Sequence, residues 1–234
     1  MREYYLANGA AANYPIALLK GYFVKKVTLF WDVDTQYDLM RPEGRLYVPG
    51  AEGIIDNVNK ARRFALDNGY SMLASTDWHK DDNEEITNAP DFKTTFPPHC
   101  LAGKPGSERV GYLGELPIGV VPNKPMSDTD LRKLLDKEQF HIVIRKEKLD
   151  VFTNPNTTTL LEILKPKSVV VFGVALDLCV RMAVEGLIKM GGMKLYLLRD
   201  AVKTLGLNVD KEVVGELKDK GVEIISVSDL NKKF

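Results

Sequence analysis

Short apolar runs alternate with amphipathic segments along most of the chain. Runs rich in β-branched and aromatic residues predict strands, and apolar residues spaced three and four apart predict helices. The predicted strands cover residues 27–33, 70–76, 140–144, 169–172, 194–198 and 222–226. The predicted helices cover residues 51–68, 128–137, 157–164, 177–190 and 209–220. This alternation predicts a three-layer α/β/α fold, with a mostly parallel central sheet between layers of helices.

One strand–turn–helix unit carries a candidate nucleophile. It has the sequence SVVVFGVALDLCV over residues 168–180, in which Val169–Phe172 predicts a buried strand and Asp177 the start of a helix. Cys179 then falls in the first helical turn, where the partial positive charge of a helix N-terminus favours a thiolate. On this stretch alone, a small buried hydrophobe is the favoured interpretation of Cys179, because most free cysteines are of that kind.

Polar residues follow the carboxyl ends of four predicted strands. They are Asp34, the pair Asp77 and His79, Lys146, and Cys179. In a parallel sheet the ligand crevice lies at the carboxyl ends of the strands. Taken singly, Asp34 is best explained as a turn residue and Lys146 as a surface charge. Their common position predicts one site, in which Asp34 takes the Cys179 proton and Lys146 stabilises the resulting anions.

Histidine is scarce, and two of the three histidines follow predicted strands or lie in a long irregular segment, residues 80–128. Asp77, His79 and His99 form a set of donors that suits zinc, iron or manganese. The alternative for Asp77–His79 is a turn capped by the aspartate. His141 begins a strand and is interpreted as a structural or exposed histidine rather than a ligand. A loop as long as 80–128 is usually functional in a compact domain.

Composition narrows the class of protein. The formal net charge is zero over 234 residues, which favours neither nucleic acid nor a membrane surface as a partner. Two distant cysteines make no disulfide framework and suit a cytoplasmic location. We find no apolar run of membrane-spanning length and no signal peptide. Residues 1–24 are predicted to be an N-terminal extension and residues 25–234 a single domain.

Five motifs together resemble the isochorismatase-like cysteine hydrolases, and among them the nicotinamidase/pyrazinamidase branch. The resemblance covers roughly residues 27–200. The motifs, in order, are DTQYD at 34–38, DWH at 77–79, PPHCLAG at 97–103, Lys146 six residues before Phe152, and GVALDLCV at 173–180.

The resemblance implies a catalytic triad of Asp34, Lys146 and Cys179. It also implies a cis peptide bond between Val174 and Ala175, and an oxyanion hole made by the backbone N–H groups of Ala175 and Cys179. One divalent metal ion (zinc, iron or manganese) is implied on a set of donors made up of Asp77, His79 and His99.

The sequence departs from the family pattern at several places, one of which is the segment from Lys146 to Phe152, shorter than in many nicotinamidases. Many relatives have a further histidine ligand where this chain has DDNEE at 81–85, so Glu85 is predicted to replace it, with Glu84 as the substitute. Leu39 stands where the family has an aromatic residue, and Phe96 stands where it has tryptophan. Leu39 and Phe96 are both predicted to line the substrate pocket, and the Phe96 ring can still stack on a substrate ring.

The resemblance implies a metal-dependent amidase that hydrolyses nicotinamide to nicotinate and ammonia through a thioester, as a step of NAD salvage. One alternative is a related cysteine hydrolase that acts on another small amide or a vinyl ether. Another is a metal-dependent binding protein without turnover, although retention of Asp34, Lys146 and Cys179 argues against it. The expected partner is a small amide, and a homo-oligomer is compatible with the sequence.

Overall fold

The computed structural model describes residues 28–114, 117–206 and 208–234, and these residues form a seven-stranded sheet. The strands are β1 Thr28–Val33, β2 Ser71–Asp77, β3 Ile118–Val121, β4 His141–Lys146, β5 Ser168–Val174, β6 Lys194–Lys203 and β7 Glu223–Ile225. Their spatial order is β3-β4-β2-β1-β5-β6-β7, and every neighbouring pair is parallel. The strand order reverses between β1 and β5, where such sheets form their ligand crevice.

Helices cover both faces of the sheet. They are α1 Tyr37–Met40, α2 Ile55–Asp67, α3 Asp128–Leu135, α4 Thr157–Leu164, α5 Arg181–Met190, α6 Asp210–Asp219 and α7 Leu230–Lys233. Alternate residues of β1 point to opposite faces: Trp31 joins an apolar cluster with α3 to α6, and Phe30 joins a second cluster with α1, α2 and α7. The three-layer α/β/α prediction is therefore confirmed.

Several elements differ from the sequence prediction, among them the unpredicted helix α1. β3 lies in the segment predicted to be irregular; it is a four-residue edge strand with Ile118 and Val120 exposed, so its apolar pattern is weak. β6 continues through polar Arg199 and Asp200 to Lys203 rather than ending at residue 198. A short helical segment after β7 was also missed; it begins with a reciprocal capping box between Ser226 and Asp229.

The predicted boundary at residue 24 lies outside the described residues. Among the described residues, no helix combines the length and apolar character that crossing a membrane requires.

A buried network of charged side chains anchors the loop that follows His99 to the sheet. Asp32 of β1 pairs with Arg62 of α2 at 2.7 Å and also with Arg109 of that loop. Arg62 Nη1 donates to the Val110 carbonyl at 2.6 Å. Arg109 Nη1 lies 2.8 Å from His141 Nε2. Because a guanidinium only donates, the His141 ring must accept and is neutral.

The neutral His141 predicts a pH-dependent stability. Burial, reinforced by Arg109, lowers the pKa of His141 to about 4, against about 6.5 in an unfolded chain. The neutral ring therefore contributes stability above pH about 6.5, which is lost as the pH falls towards 4 because only the unfolded chain takes up the proton. His141→Gln, which keeps an acceptor for Arg109, should reduce this loss by up to about 3 kcal/mol.

Urea unfolding of wild type and His141→Gln at several pH values between 7 and 4.5 measures the difference directly. Parallel pH profiles for the two proteins would contradict the assignment of a neutral buried ring.

Candidate active site

The carboxyl ends of β4, β2, β1 and β5 bring the predicted site residues together. Asp34 directly follows β1, Asp77 ends β2, Lys146 ends β4, and Cys179 lies in the helical turn after β5. Asp77 and Lys146 are register partners of neighbouring strands. The sheet topology thus places all four residues at the carboxyl-terminal end of the sheet, as their sequence positions predict.

The ammonium group of Lys146 is the centre of this cluster. Its Nζ lies 3.0 Å from Asp34 Oδ2 and 3.5 Å from Cys179 Sγ, and it donates a hydrogen bond to Asp77 Oδ1. Lys146 and Asp34 are completely buried. The contacts with Asp77 and Cys179 are hydrogen bonds donated by the ammonium, and the contact with Asp34 is an ion pair.

Burial and neighbouring charges shift the acid–base properties of this cluster. Burial opposes the charge of Lys146, but the carboxylates of Asp34 and Asp77 raise its pKa well above the usual range. Burial raises the pKa of Asp34 to about 6, with Lys146 acting in the opposite direction. Burial also acts to raise the pKa of Asp77, yet Lys146 and the two histidines hold that pKa below its ordinary value. Asp34 is therefore the carboxylate better suited to proton transfer near neutral pH.

The Cys179 thiol differs from the sequence expectation. The turn that carries it, Leu176–Val180, is π-helical, and α5 begins only at Arg181. Burial raises the pKa of Cys179 well above its usual value, although Lys146 lowers it. Desolvation thus outweighs the attraction of Lys146, and the resting residue is a thiol that needs a base before it can attack a carbonyl.

The backbone around Cys179 has unusual conformations. The Val174–Ala175 peptide bond is cis, the form that the resemblance implies. The N–H groups of Leu178 and Val180 both donate to the Ala175 carbonyl, at 3.1 and 3.0 Å. Asp34 has a φ of 48°, in the left-handed region. Gly173 has a φ of 119° and packs against Val33 so closely that a Cβ would lie 2.0 Å from the Val33 carbonyl oxygen.

Asp77, His79 and His99 form a second cluster on the other side of Asp77. All three are buried, and their donor atoms lie within 4.8 Å of one another. His79 Nε2 is 3.7 Å from Asp77 Oδ1, and His99 Nε2 is 3.6 Å from Asp77 Oδ2. His99 Nδ1 lies 2.8 Å from the Pro97 carbonyl, which orients the ring with Nε2 towards the cluster.

This cluster fits a divalent metal ion. Nε2 of His79 is buried without a hydrogen-bond partner among the described residues, which is costly for a polar atom unless another ligand engages it. Burial lowers the pKa of His79 to about 4, so its ring is neutral, the form that binds metals. One carboxylate and two imidazoles suit zinc, iron or manganese.

The other residues predicted from the motifs lie around this cluster. Glu85 is partly buried and its Oε1 accepts from the Leu149 N–H at 2.9 Å, whereas Glu84 lies on the surface and pairs with Lys148. Neither glutamate belongs to the three-residue cluster. Phe96 is completely buried, with its ring 6.1 Å from that of His99. Leu39 packs in the apolar cluster with α1 and α2.

Two polar residues of the DTQYD motif were given no role by the sequence. The Gln36 side chain bonds to the backbone of Asp77, and Asp38 Oδ2 accepts from the Cys100 N–H at 2.8 Å. Their place in the same motif as Asp34 indicated that Gln36 and Asp38 could matter for the site. Their hydrogen-bond partners are distant in sequence, so the motif could not identify them.

The comparisons with known proteins agree with this geometry. The family model of the isochorismatase domain matches residues 29–229. The chain belongs to the isochorismatase family. It is 26% identical over 210 residues to the nicotinamidase/pyrazinamidase of Mycobacterium tuberculosis, covering 84% of this chain and 97% of that protein.

Two solved structures show the same fold. The pyrazinamidase of Pyrococcus horikoshii in complex with zinc is 27% identical, with a TM-score of 0.66, covering 85% of this chain and 98% of that one. An isochorismatase family protein from Desulfovibrio vulgaris subsp. vulgaris str. Hildenborough is 18% identical, with a TM-score of 0.69 and coverages of 89% and 98%, and supports the fold alone. Family and relatives together identify the chain as an isochorismatase-family amidohydrolase.

The close approach of β5 to β1 in this isochorismatase domain predicts a strict requirement at Gly173. Gly173→Ala should destabilise the protein by more than about 2 kcal/mol, because the added Cβ meets the Val33 backbone at 2.0 Å and the φ is positive. Gly215→Ala is the matched control: it lies within α6 with nothing within 4 Å of an added Cβ, and should stabilise the protein by about 0.5–1 kcal/mol. Thermal and urea unfolding of the two variants measure the change in stability. Equal changes in Gly173→Ala and Gly215→Ala would refute the prediction.

Proposed function

We propose that this amidohydrolase hydrolyses nicotinamide to nicotinate and ammonia. The observation that supports this proposal best is the position of Lys146. Its ammonium contacts Asp34, Cys179 and Asp77, and so joins the candidate cysteine triad to the candidate metal-binding cluster. The relative from M. tuberculosis is a nicotinamidase/pyrazinamidase, and the P. horikoshii pyrazinamidase was solved with zinc. NAD salvage and a cytoplasmic location stay predictions from the sequence.

Asp34 acts first, as the general base. It accepts the proton of the Cys179 thiol, whose sulfur lies within 4.8 Å of a carboxylate oxygen of Asp34. Lys146, in contact with both groups, stabilises the thiolate as the negative charge moves from the carboxylate to the sulfur. A base with a pKa near 6 can hold this proton and later release it.

The thiolate then attacks the amide carbon, and a C–S bond forms. The backbone N–H groups of Ala175 and Cys179 stabilise the oxyanion. Asp34 returns its proton to the departing nitrogen, the C–N bond breaks, and ammonia leaves. Asp34 then deprotonates a water molecule that attacks the thioester; a C–O bond forms, the C–S bond breaks, and Cys179 regains its proton.

Asp77, His79 and His99 would hold the divalent metal ion, with Glu85 as a further ligand and Glu84 as its substitute. When bound, zinc, iron or manganese would supply a Lewis acid that recognises the pyridine nitrogen. The chain itself orients the metal donors. The Phe96 ring, which lies beside His99, and the Leu39 side chain would line the substrate pocket.

Cys179→Ala should lower ammonia release from nicotinamide by at least about 10³-fold, because it removes the nucleophile. Cys100→Ala is the matched control: burial raises the pKa of the Cys100 thiol well above its usual value, and the mechanism does not use it. This variant should keep activity within about tenfold of wild type. Substantial turnover by a folded Cys179→Ala protein would overturn the mechanism.

Removal of bound metal by a chelator should abolish ammonia release, and adding back zinc, iron or manganese should restore it. His79→Ala should not be restored at the same metal concentration, because it loses a buried donor. Full activity of metal-free protein would refute the metal requirement. Metal-dependent turnover of another small amide, with none of nicotinamide, would retain the cysteine chemistry and replace the substrate.

A further inference from the structure

Gln36 lies outside the triad and the metal donors, yet its carboxamide binds the backbone of Asp77 at two points. Its Oε1 accepts from the Asp77 N–H at 2.7 Å, and its Nε2 donates to the Asp77 carbonyl at 2.8 Å. The same Nε2 donates to the Ser107 carbonyl at 2.9 Å. Gln36 is completely buried, so water does not compete for these bonds.

The side chain of Gln36 takes the place of a missing strand partner. The ladder between β1 and β2 ends at the pair Val33 and Ser75, after which the chain turns away at Asp34. Asp77 is two residues further along β2. In a parallel sheet the N–H and C=O of one residue point to the same neighbour, so the end of β1 leaves both groups of Asp77 to be satisfied by another amide.

The orientation of Asp77 matters because its two carboxylate oxygens serve different groups. Oδ1 accepts from Lys146, and Oδ2 lies 3.6 Å from His99 Nε2. A rotation of the Asp77 backbone would move both oxygens at once. Asp38 also supports the cluster, since its bond to the Cys100 N–H holds the residue that follows His99.

We infer that Gln36 is a positioning residue, which holds Asp77 in the orientation needed for metal binding. The inference rests on the proposed metal site at Asp77, His79 and His99. The turn that contains Asp34 then carries both the general base and the group that orients the metal-binding carboxylate. Groups that orient a metal ligand typically change metal affinity by about 10–100-fold when they are removed.

The test is the zinc affinity of metal-free protein, measured by competition with a chromophoric chelator. Gln36→Met removes the amide, and Gln36→Asn keeps it but is one methylene too short to reach both Asp77 groups. Gln139→Met is the matched control, because the Gln139 carboxamide also donates to two backbone carbonyls, those of Leu66 and Tyr70 at 3.0 and 2.8 Å, and contacts no metal donor through these bonds.

We expect zinc affinity to fall by about 10–100-fold in both Gln36 variants and to change less than about twofold in Gln139→Met. The second Gln36 variant keeps the test decisive if the first does not fold. Tight zinc binding by wild type and both Gln36 variants would overturn the inference and leave the metal site standing. An equal loss in Gln139→Met would also overturn it, since general destabilisation would then explain the effect. A wild-type protein that binds no zinc would overturn the metal site itself.

Discussion

The buried ammonium group of Lys146 constrains the rest of the site. A charge without solvent is costly unless opposite charges and hydrogen bonds surround it, and Lys146 is completely buried. Asp34 and Asp77 supply those charges, and each also serves a second group, because Asp34 faces the Cys179 thiol and Asp77 faces two histidines. The candidate nucleophile and the candidate metal-binding cluster are therefore electrostatically linked through one side chain.

The parallel sheet makes this arrangement possible. Four adjacent strands end at the same edge, so side chains more than a hundred residues apart in sequence meet without any long excursion of the backbone. The contact between β5 and β1 at Gly173 then sets the distance between the turn that carries Cys179 and the turn that carries Asp34. Asp32 of β1 forms ion pairs with Arg62 and Arg109, and these pairs anchor the loop after His99 to the sheet. The residues that stabilise the fold and the residues of the candidate site therefore lie on the same few strands or directly after them.

The strands whose side chains are buried on both faces were predictable, since they read as continuous apolar runs; β5 is the clearest case. The edge strand β3 was not predictable, because it is short, half exposed and paired on one side only. The predicted end of β6 was wrong, because pairing with β5 resumes at Val202 and Lys203 after an irregularity that contains Arg199 and Asp200, whose polarity resembles a turn. Pairing with a neighbour overrode local preference there.

By itself, the sequence determined the fold class and which polar residues meet at the strand ends, because apolar runs followed by polar residues mark strand ends, and strand ends of a parallel sheet meet. It also determined the family through the order of five motifs. Only the tertiary structure decided the protonation state of Cys179, since burial depends on every layer packed around it. It alone revealed the partners of Gln36, Asp38 and Asp32, because a hydrogen bond between residues distant in sequence leaves no local pattern.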